Sequence, residues 1–195
     1  MRKKSDRTEQ AIILGAYRTF QDRGFTGSRM SDIALASGVT TSNIYNYYES
    51  KFALVYRVAS QMFEAKLKAL AAEVRALDDP RQKIEHILRV LWIEIPREQS
   101  GLAGNLMEAI VTTPPDVAKP SALLVLCEER TAALLAESLP GAAGAPDMVR
   151  SLSHLIWMSF DGFTLNARRR ADDQSVEAVI ATLTGIILSA FLLGK

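Results

Sequence analysis

The sequence predicts an all-α protein: a three-helix amino-terminal domain followed by a larger helical domain, about nine helices in all. Three observations carry that prediction. Ala and Leu recur at three- and four-residue spacings along the chain, while period-two alternation of β-branched residues is missing. Helix breakers divide the chain at helix-length intervals: Gly24, Gly38, Asp78-Asp79-Pro80, Pro96, Thr113-Pro114-Pro115, Pro120, Pro140-Gly141 through Pro146, and Ala171-Asp172-Asp173. A chain of 195 residues with 48% hydrophobic and 23% charged side chains is also large and apolar enough to bury a core, which excludes a disordered or collagen-like chain.

From Asp6 to about Asp22, Ile13, Ala16, Tyr17 and Phe20 line one face of a first helix. Gly24 stops it, and Phe25 is placed to fold back on its end. Ser28 suits the N-cap of a short second helix whose buried stripe is Met30, Ile33 and Ala34, with Asp32 at the favourable end of the dipole. Gly38 supplies the backbone freedom a tight turn needs, and Val39 anchors that turn. Thr40 or Thr41 caps a third helix running through Ile44 and Tyr48. Ser50 then caps a long fourth helix from Lys51 to about Leu77.

Beyond Pro80, Ile84, Ile87, Leu88, Leu91 and Ile95 form a helical stripe with Trp92 beside it. Further helices are expected over Leu102 to Val111, about Ala118 to Leu139, Asp147 to about Ala167, and the last apolar segment. Residues 178–194 are 17 in a row without a charge, at the lower edge of what spans a bilayer. Thr182, Thr184, Gly185 and Ser189 interrupt them and no basic cluster follows, so a helix buried in a core or against another chain is expected. One cysteine, Cys127, excludes an intrachain disulfide framework and a cysteine-based zinc site. The charged start has no apolar run behind it, so a cytoplasmic location without a signal peptide is expected.

Two short helices joined by a glycine turn have the shape of a helix-turn-helix, whose second helix enters the major groove of DNA. Thr40, Thr41, Ser42, Asn43, Asn46 and Tyr47 give that helix a hydroxyl- and amide-bearing surface suited to base edges and phosphates. Ile44 and Tyr48 are expected to pack inward, and Tyr45 and Tyr47 to lie outside. Lys51, at the start of the fourth helix, is placed to join its backbone N–H groups in holding a phosphate. Charge agrees. Residues 1–60 carry nine basic and five acidic side chains and the remainder 14 and 17, so a net +1 chain divides into a +4 head and a −3 body.

Ile33-Ala34, Gly38-Val39-Thr40, Ile44-Tyr45-Asn46-Tyr47-Tyr48 and Ser50-Lys51, preceded by Ala16, Phe20 and Gly24-Phe25, closely resemble the amino-terminal domain of the tetracycline-repressor (TetR) family over about residues 8 to 56. The resemblance implies a dimeric transcriptional regulator, usually a repressor, that releases a palindromic operator when a small molecule binds the larger domain. By motif position it implies groove contacts from Thr40, Thr41, Tyr45 and Asn46, phosphate contacts from Tyr47 and Lys51, and backbone contacts from Ser28 and Arg29. Ser42 stands where the family often has glycine, Tyr48 where it often has phenylalanine, and Phe52 where glutamate usually follows the lysine. Ser42 therefore adds a side chain facing the groove. The expected domains are residues 1–50 for DNA binding and 51–195 for effector binding and dimerisation.

In the body, Ser153, Ile156, Trp157, Phe160, Phe163 and Thr164 form an apolar stripe wider than one core contact needs. With the last helix it is the expected homodimer interface, in keeping with the four-helix bundle the resemblance implies. Polar or aromatic residues inside apolar helices are the pocket candidates: Trp92, Asn105, Met107, Glu108, Trp157 and Asp161, with His86, Cys127 and His154 more ordinarily structural. Glu108 stands out, because a buried carboxylate needs a partner that a cationic or hydroxylated effector supplies. An amphipathic or aromatic small effector is expected, with no cofactor, metal or membrane partner. No phosphate loop, nucleophile elbow or His-Glu-x-x-His organises a catalytic site, so an enzyme is not expected. The alternative to an effector-released repressor is a ligand-independent activator or an architectural DNA-binding protein.

Overall fold

The computed structural model describes residues 5–98, 101–114, 121–167 and 173–193, and every regular element among them is helical. Arg2, Lys3 and Lys4 of the basic head, the helix start near Ala118, the breaks at Pro115, Pro120 and Ala171-Asp172, and the terminal Gly194-Lys195 lie outside the described residues. The chain divides into two compact units, Met1–Met62 with Glu98–Pro120, and Phe63–Arg97 with Ser121–Lys195. This partition differs from a boundary at residue 50: the first unit takes in the opening turns of the fourth helix and one helix from far along the sequence.

In the first unit, α1 (Asp6–Gly27) buries Ile12, Ile13, Ala16 and Phe20. Gly24, at φ 72° and ψ 174°, breaks its helical path in a conformation that a side chain would strain. Phe25 then turns back, its ring 6.1 Å from that of Phe20. In α2 (Met30–Ser37), Met30, Ile33 and Ala34 face the core as their spacing predicts. Its N-cap is Arg29, whose backbone N–H donates to the Asp32 carboxylate at 3.0 Å. Ser28, the expected cap, faces the other way: its hydroxyl donates to the carbonyls of Gly24 at 2.5 Å and Thr19 at 3.2 Å. The Gly24 carbonyl lies at the break in α1, where backbone acceptors lack helical donors.

The third helix, α3 (Thr41–Tyr45), is shorter than its sequence suggested. The Thr40 hydroxyl caps it, accepting from the Asn43 N–H at 3.1 Å. Tyr47 and Tyr48 continue as a turn, both donating their N–H groups to the Ile44 carbonyl. Ser50 caps α4 (Lys51–Arg75) through the Ala53 N–H at 3.0 Å. The unit is completed by α7 (Leu102–Thr112), whose Leu102, Ala103, Leu106 and Ala109 are buried and which packs against α1.

The second unit begins with the remainder of α4. Asp79 caps α5 (Pro80–Arg89) by accepting from the Gln82 N–H, with Pro80 in the first turn, where a missing N–H costs nothing. Pro96 was expected to end this helix, and it does not. A π-helical turn at Val90–Glu94 carries α5 directly into α6 (Ile95–Arg97), and the Ile95 N–H reaches back five residues to Val90. The wider turn relieves the clash of a proline ring with the preceding helical carbonyls. There follow α8 (Ser121–Ser138), a short 3-10 turn at Ala142–Gly144, α9 (Pro146–Ala167) and α10 (Asp173–Leu193). Counting α5 through α6 as one rod, the described residues form nine helices.

Within this unit α8 packs on α9, and α10 packs on α5 and the π turn. The stripe read as a dimer interface is core instead. Ser153, Ile156, Trp157, Phe160 and Thr164 are buried, and Phe63 meets the rings of Trp157 and Phe160 edge-on at 5.7 and 5.8 Å. The stripe looked too wide for one contact because it receives α4, α8 and the π turn together. The faces left open are different ones: Leu155, Met158 and Leu165 on α9, and Val179 and Ile186 on α10. By length and composition, residues 174–191 of α10 would suffice to cross a membrane, and 22% of that stretch is buried.

Candidate nucleic-acid interface

The site is built on α2, α3 and the turns around them. Ile44 is fully buried and Tyr48 is 8% exposed, so these two residues fix the inner side of the α3 segment. Helical spacing then sends Ser42, Tyr45 and Asn46 outward, and all three are exposed, as is Thr40. Thr41 and Asn43 are half-buried at the margin. The outer face thus offers hydroxyl, amide and phenol groups, with Tyr45 52% exposed. Such groups donate to and accept from base edges and phosphates. The Thr40 oxygen already accepts the Asn43 N–H as the helix cap.

Tyr48 is tied to α1 by a hydrogen bond from its hydroxyl to Glu9 Oε1 at 2.9 Å. Burial, reinforced by the Glu9 carboxylate, pushes its pKa up to about 12. Tyr47 is half-buried, and its hydroxyl accepts from the Ser5 N–H at 2.8 Å. Arg29 is exposed beside the start of α2.

Two of the phosphate and backbone candidates point inward. Ser28 is 1% exposed and its hydroxyl is occupied within α1, so its side chain is not on the outer surface; only its backbone can serve there. Lys51 Nζ donates to the carbonyls of Phe25 at 2.7 Å and Ser28 at 2.8 Å and sits 4.3 Å from the centre of the Phe25 ring. Burial lowers its pKa, an effect opposed by the nearby charge of Glu108. In the chain without DNA, the ammonium group ties down the turn that leads into α2.

That turn is held from a second side by α7. Asn105, 2% exposed, accepts the Phe25 N–H at 2.9 Å and donates to the Phe20 carbonyl at 3.0 Å. Glu108 accepts a hydrogen bond from the Thr26 hydroxyl. Both residues were read as pocket candidates, yet their polar groups find partners within the first unit, and Met107 lies half-buried between them. The sequence flagged Asn105 and Glu108 as polar groups in an apolar helix but could not show that their partners lie about eighty residues earlier.

The other pocket candidates belong to the second unit. Trp92 donates its indole N–H to the Ile156 carbonyl at 3.1 Å and packs on Phe163, with ring centres 4.8 Å apart. Trp157 donates to the Thr131 hydroxyl at 3.0 Å. Asp161 is half-buried, and its pKa is raised by burial. None of these three lines the cavity of about 510 Å³ that this unit contains between the second half of α4 and α8. The sequence missed that cavity because its charged residues look like an ordinary solvated helix face.

Comparison with known proteins agrees with this geometry. Residues 12–58 match the family model described as bacterial regulatory proteins, tetR family. The HTH-type transcriptional regulator RutR of Escherichia coli K12 is 29% identical over 152 residues, covering 77% of this chain and 71% of RutR. The HTH-type transcriptional repressor NicS of Pseudomonas putida is 29% identical over 89 residues, a match spanning 46% of this chain and 42% of NicS. A crystal structure of a putative TetR-family transcriptional regulator from Mesorhizobium loti has the same fold, with a TM-score of 0.68 at 16% identity over 97% of this chain and 98% of that one.

Proposed function

We propose that the chain is a regulator of the TetR family, whose model matches residues 12–58, and that it is a dimeric transcriptional repressor that leaves a palindromic operator when a small molecule binds its second unit. The observation that carries the reading is the division of the α3 segment between buried Ile44 and Tyr48 and an outer face of Ser42, Tyr45 and Asn46. A solvated helix needs no such uncharged hydrogen-bonding face, whereas groove readout does. Thr40, Thr41, Ser42, Tyr45 and Asn46 read bases, Arg29 and Tyr47 meet phosphates, and the Ser28 backbone lies beside them.

Dimerisation through α9 and α10 is supported by the exposed apolar residues Leu155, Met158, Leu165, Val179 and Ile186. A monomer in water gains nothing from displaying so many apolar groups on adjacent helices of its chain. A two-fold dimer in turn requires an operator of two related half-sites.

The test is selection of bound sequences from random duplex DNA with the full chain, followed by fluorescence anisotropy on the enriched site. A palindromic consensus is expected, and Asn46→Ala should lose about tenfold or more in affinity for it, on the scale of one base contact, while non-specific binding holds. Equal binding to all sequences would refute the operator reading.

A further inference from the structure

We propose that the cavity between α4 and α8 takes an amphipathic monocarboxylate: an apolar body of fatty-acid type ending in one carboxylate. This inference rests on the effector reading above and names the effector's chemical class. The cavity volume, about 510 Å³, is in the range of small-molecule sites. Its inner wall is apolar, with Leu67 and Leu134 buried and Leu126 half-buried. Its charged lining is on exposed side chains, so the polar end faces water.

The balance of those charges selects the head group. Arg75 is neutralised, because its guanidinium makes a two-pronged contact with Glu137 at 2.8 and 2.9 Å. Lys68 and Arg130 pair with no carboxylate among the described residues, and Glu64 offsets one of them at a distance. The lining is left with a net charge of +1, which one carboxylate neutralises. The planar fork of Arg130 matches a carboxylate geometrically, and Lys68 adds a point charge to the same lining. A cationic amphiphile is repelled by that net positive charge. A neutral one leaves it uncompensated.

Isothermal titration calorimetry of the full chain without DNA, with probes below their micellar concentrations, tests the assignment. Dodecanoate should bind, dodecanol about tenfold or more weakly, and dodecyltrimethylammonium not measurably. Lys68→Met with Arg130→Gln should bring dodecanoate down to the level of dodecanol. Both positions are solvent-accessible, so thermal unfolding of this variant should match the parent. Equal affinity for dodecanoate and dodecanol, dodecanoate binding that survives the double substitution, or no binding of dodecanoate would each overturn the proposal. Operator binding by the same samples is measured separately, so a failed titration on a protein that still binds DNA refutes the ligand class and leaves the regulator reading standing.

Discussion

The amide side chain of Asn105 closes the broken end of α1, its oxygen taking the N–H of Phe25 at 2.9 Å and its nitrogen giving to the carbonyl of Phe20 at 3.0 Å. Both backbone groups are freed by the departure of Gly24 from helical geometry, and both are buried with Asn105. Asn105→Ala leaves a donor and an acceptor without partners. The expected cost is about 2–3 kcal/mol, a fall of several degrees in the unfolding midpoint. Differential scanning calorimetry measures it, and an unchanged midpoint would mean that water replaces the amide without loss.

Lys51 and Arg29 should separate in their dependence on salt. Lys51 spends its ammonium on the Phe25 and Ser28 carbonyls, whereas Arg29 is exposed at the head of α2. Each phosphate contact adds about one to the slope of log affinity against log salt concentration. Arg29→Ala should lower that slope by about one per half-site. Lys51→Met should weaken DNA binding and stability while leaving the slope where it was. A titration series between low and moderate salt decides, and a flattened slope for Lys51→Met would return its ammonium to the phosphate.

Leu155 on α9 and Ile186 on α10 are 52% and 60% exposed in the single chain. Replacing both with glutamate places like charges on the apolar faces proposed to meet across the two-fold axis. The double variant should run as a monomer in size-exclusion chromatography with light scattering at micromolar concentration. It should also keep its helical circular dichroism. A dimer of unchanged affinity would place the interface elsewhere.

Tyr48 should make the fold sensitive to strong alkali. Its pKa is about 12 in the fold against an ordinary value of 10, raised first by burial and then by Glu9. A raised pKa means that the contribution is fully present below pH 10 and disappears as pH rises through about 12. Tyr48→Phe removes this titration along with the bond to Glu9. Urea midpoints of the variant should decline less than those of the parent between pH 10 and 12. Parallel decline would assign the alkaline sensitivity to other groups.

Much of the amino-terminal unit was legible because its signals are local. The inward stripe of Met30, Ile33 and Ala34, the Thr40 and Ser50 caps and the fold-back of Phe25 each depend on residues within a few positions. What was misread depended on partners distant in the chain or on a choice between two local partners. Ser28 has the chemistry of an N-cap, but the carbonyls exposed by the break at Gly24 compete for it and win. Nothing local to Lys51 reveals that Phe25 and Ser28 present their carbonyls to it. Pro96 is a helix breaker by its own geometry, and only the preceding π turn makes room for it. For the same reason, Trp157 and Phe160 looked like a surface for a second chain until Phe63 was seen to occupy them.

The two sides of the α3 segment carry different physical constraints. Ile44 and Tyr48 are constrained by folding, while Ser42, Tyr45 and Asn46 bury little within their own unit. If these outward residues read the operator as proposed, they can be exchanged to redirect the protein to a new DNA sequence without a cost in stability at each step.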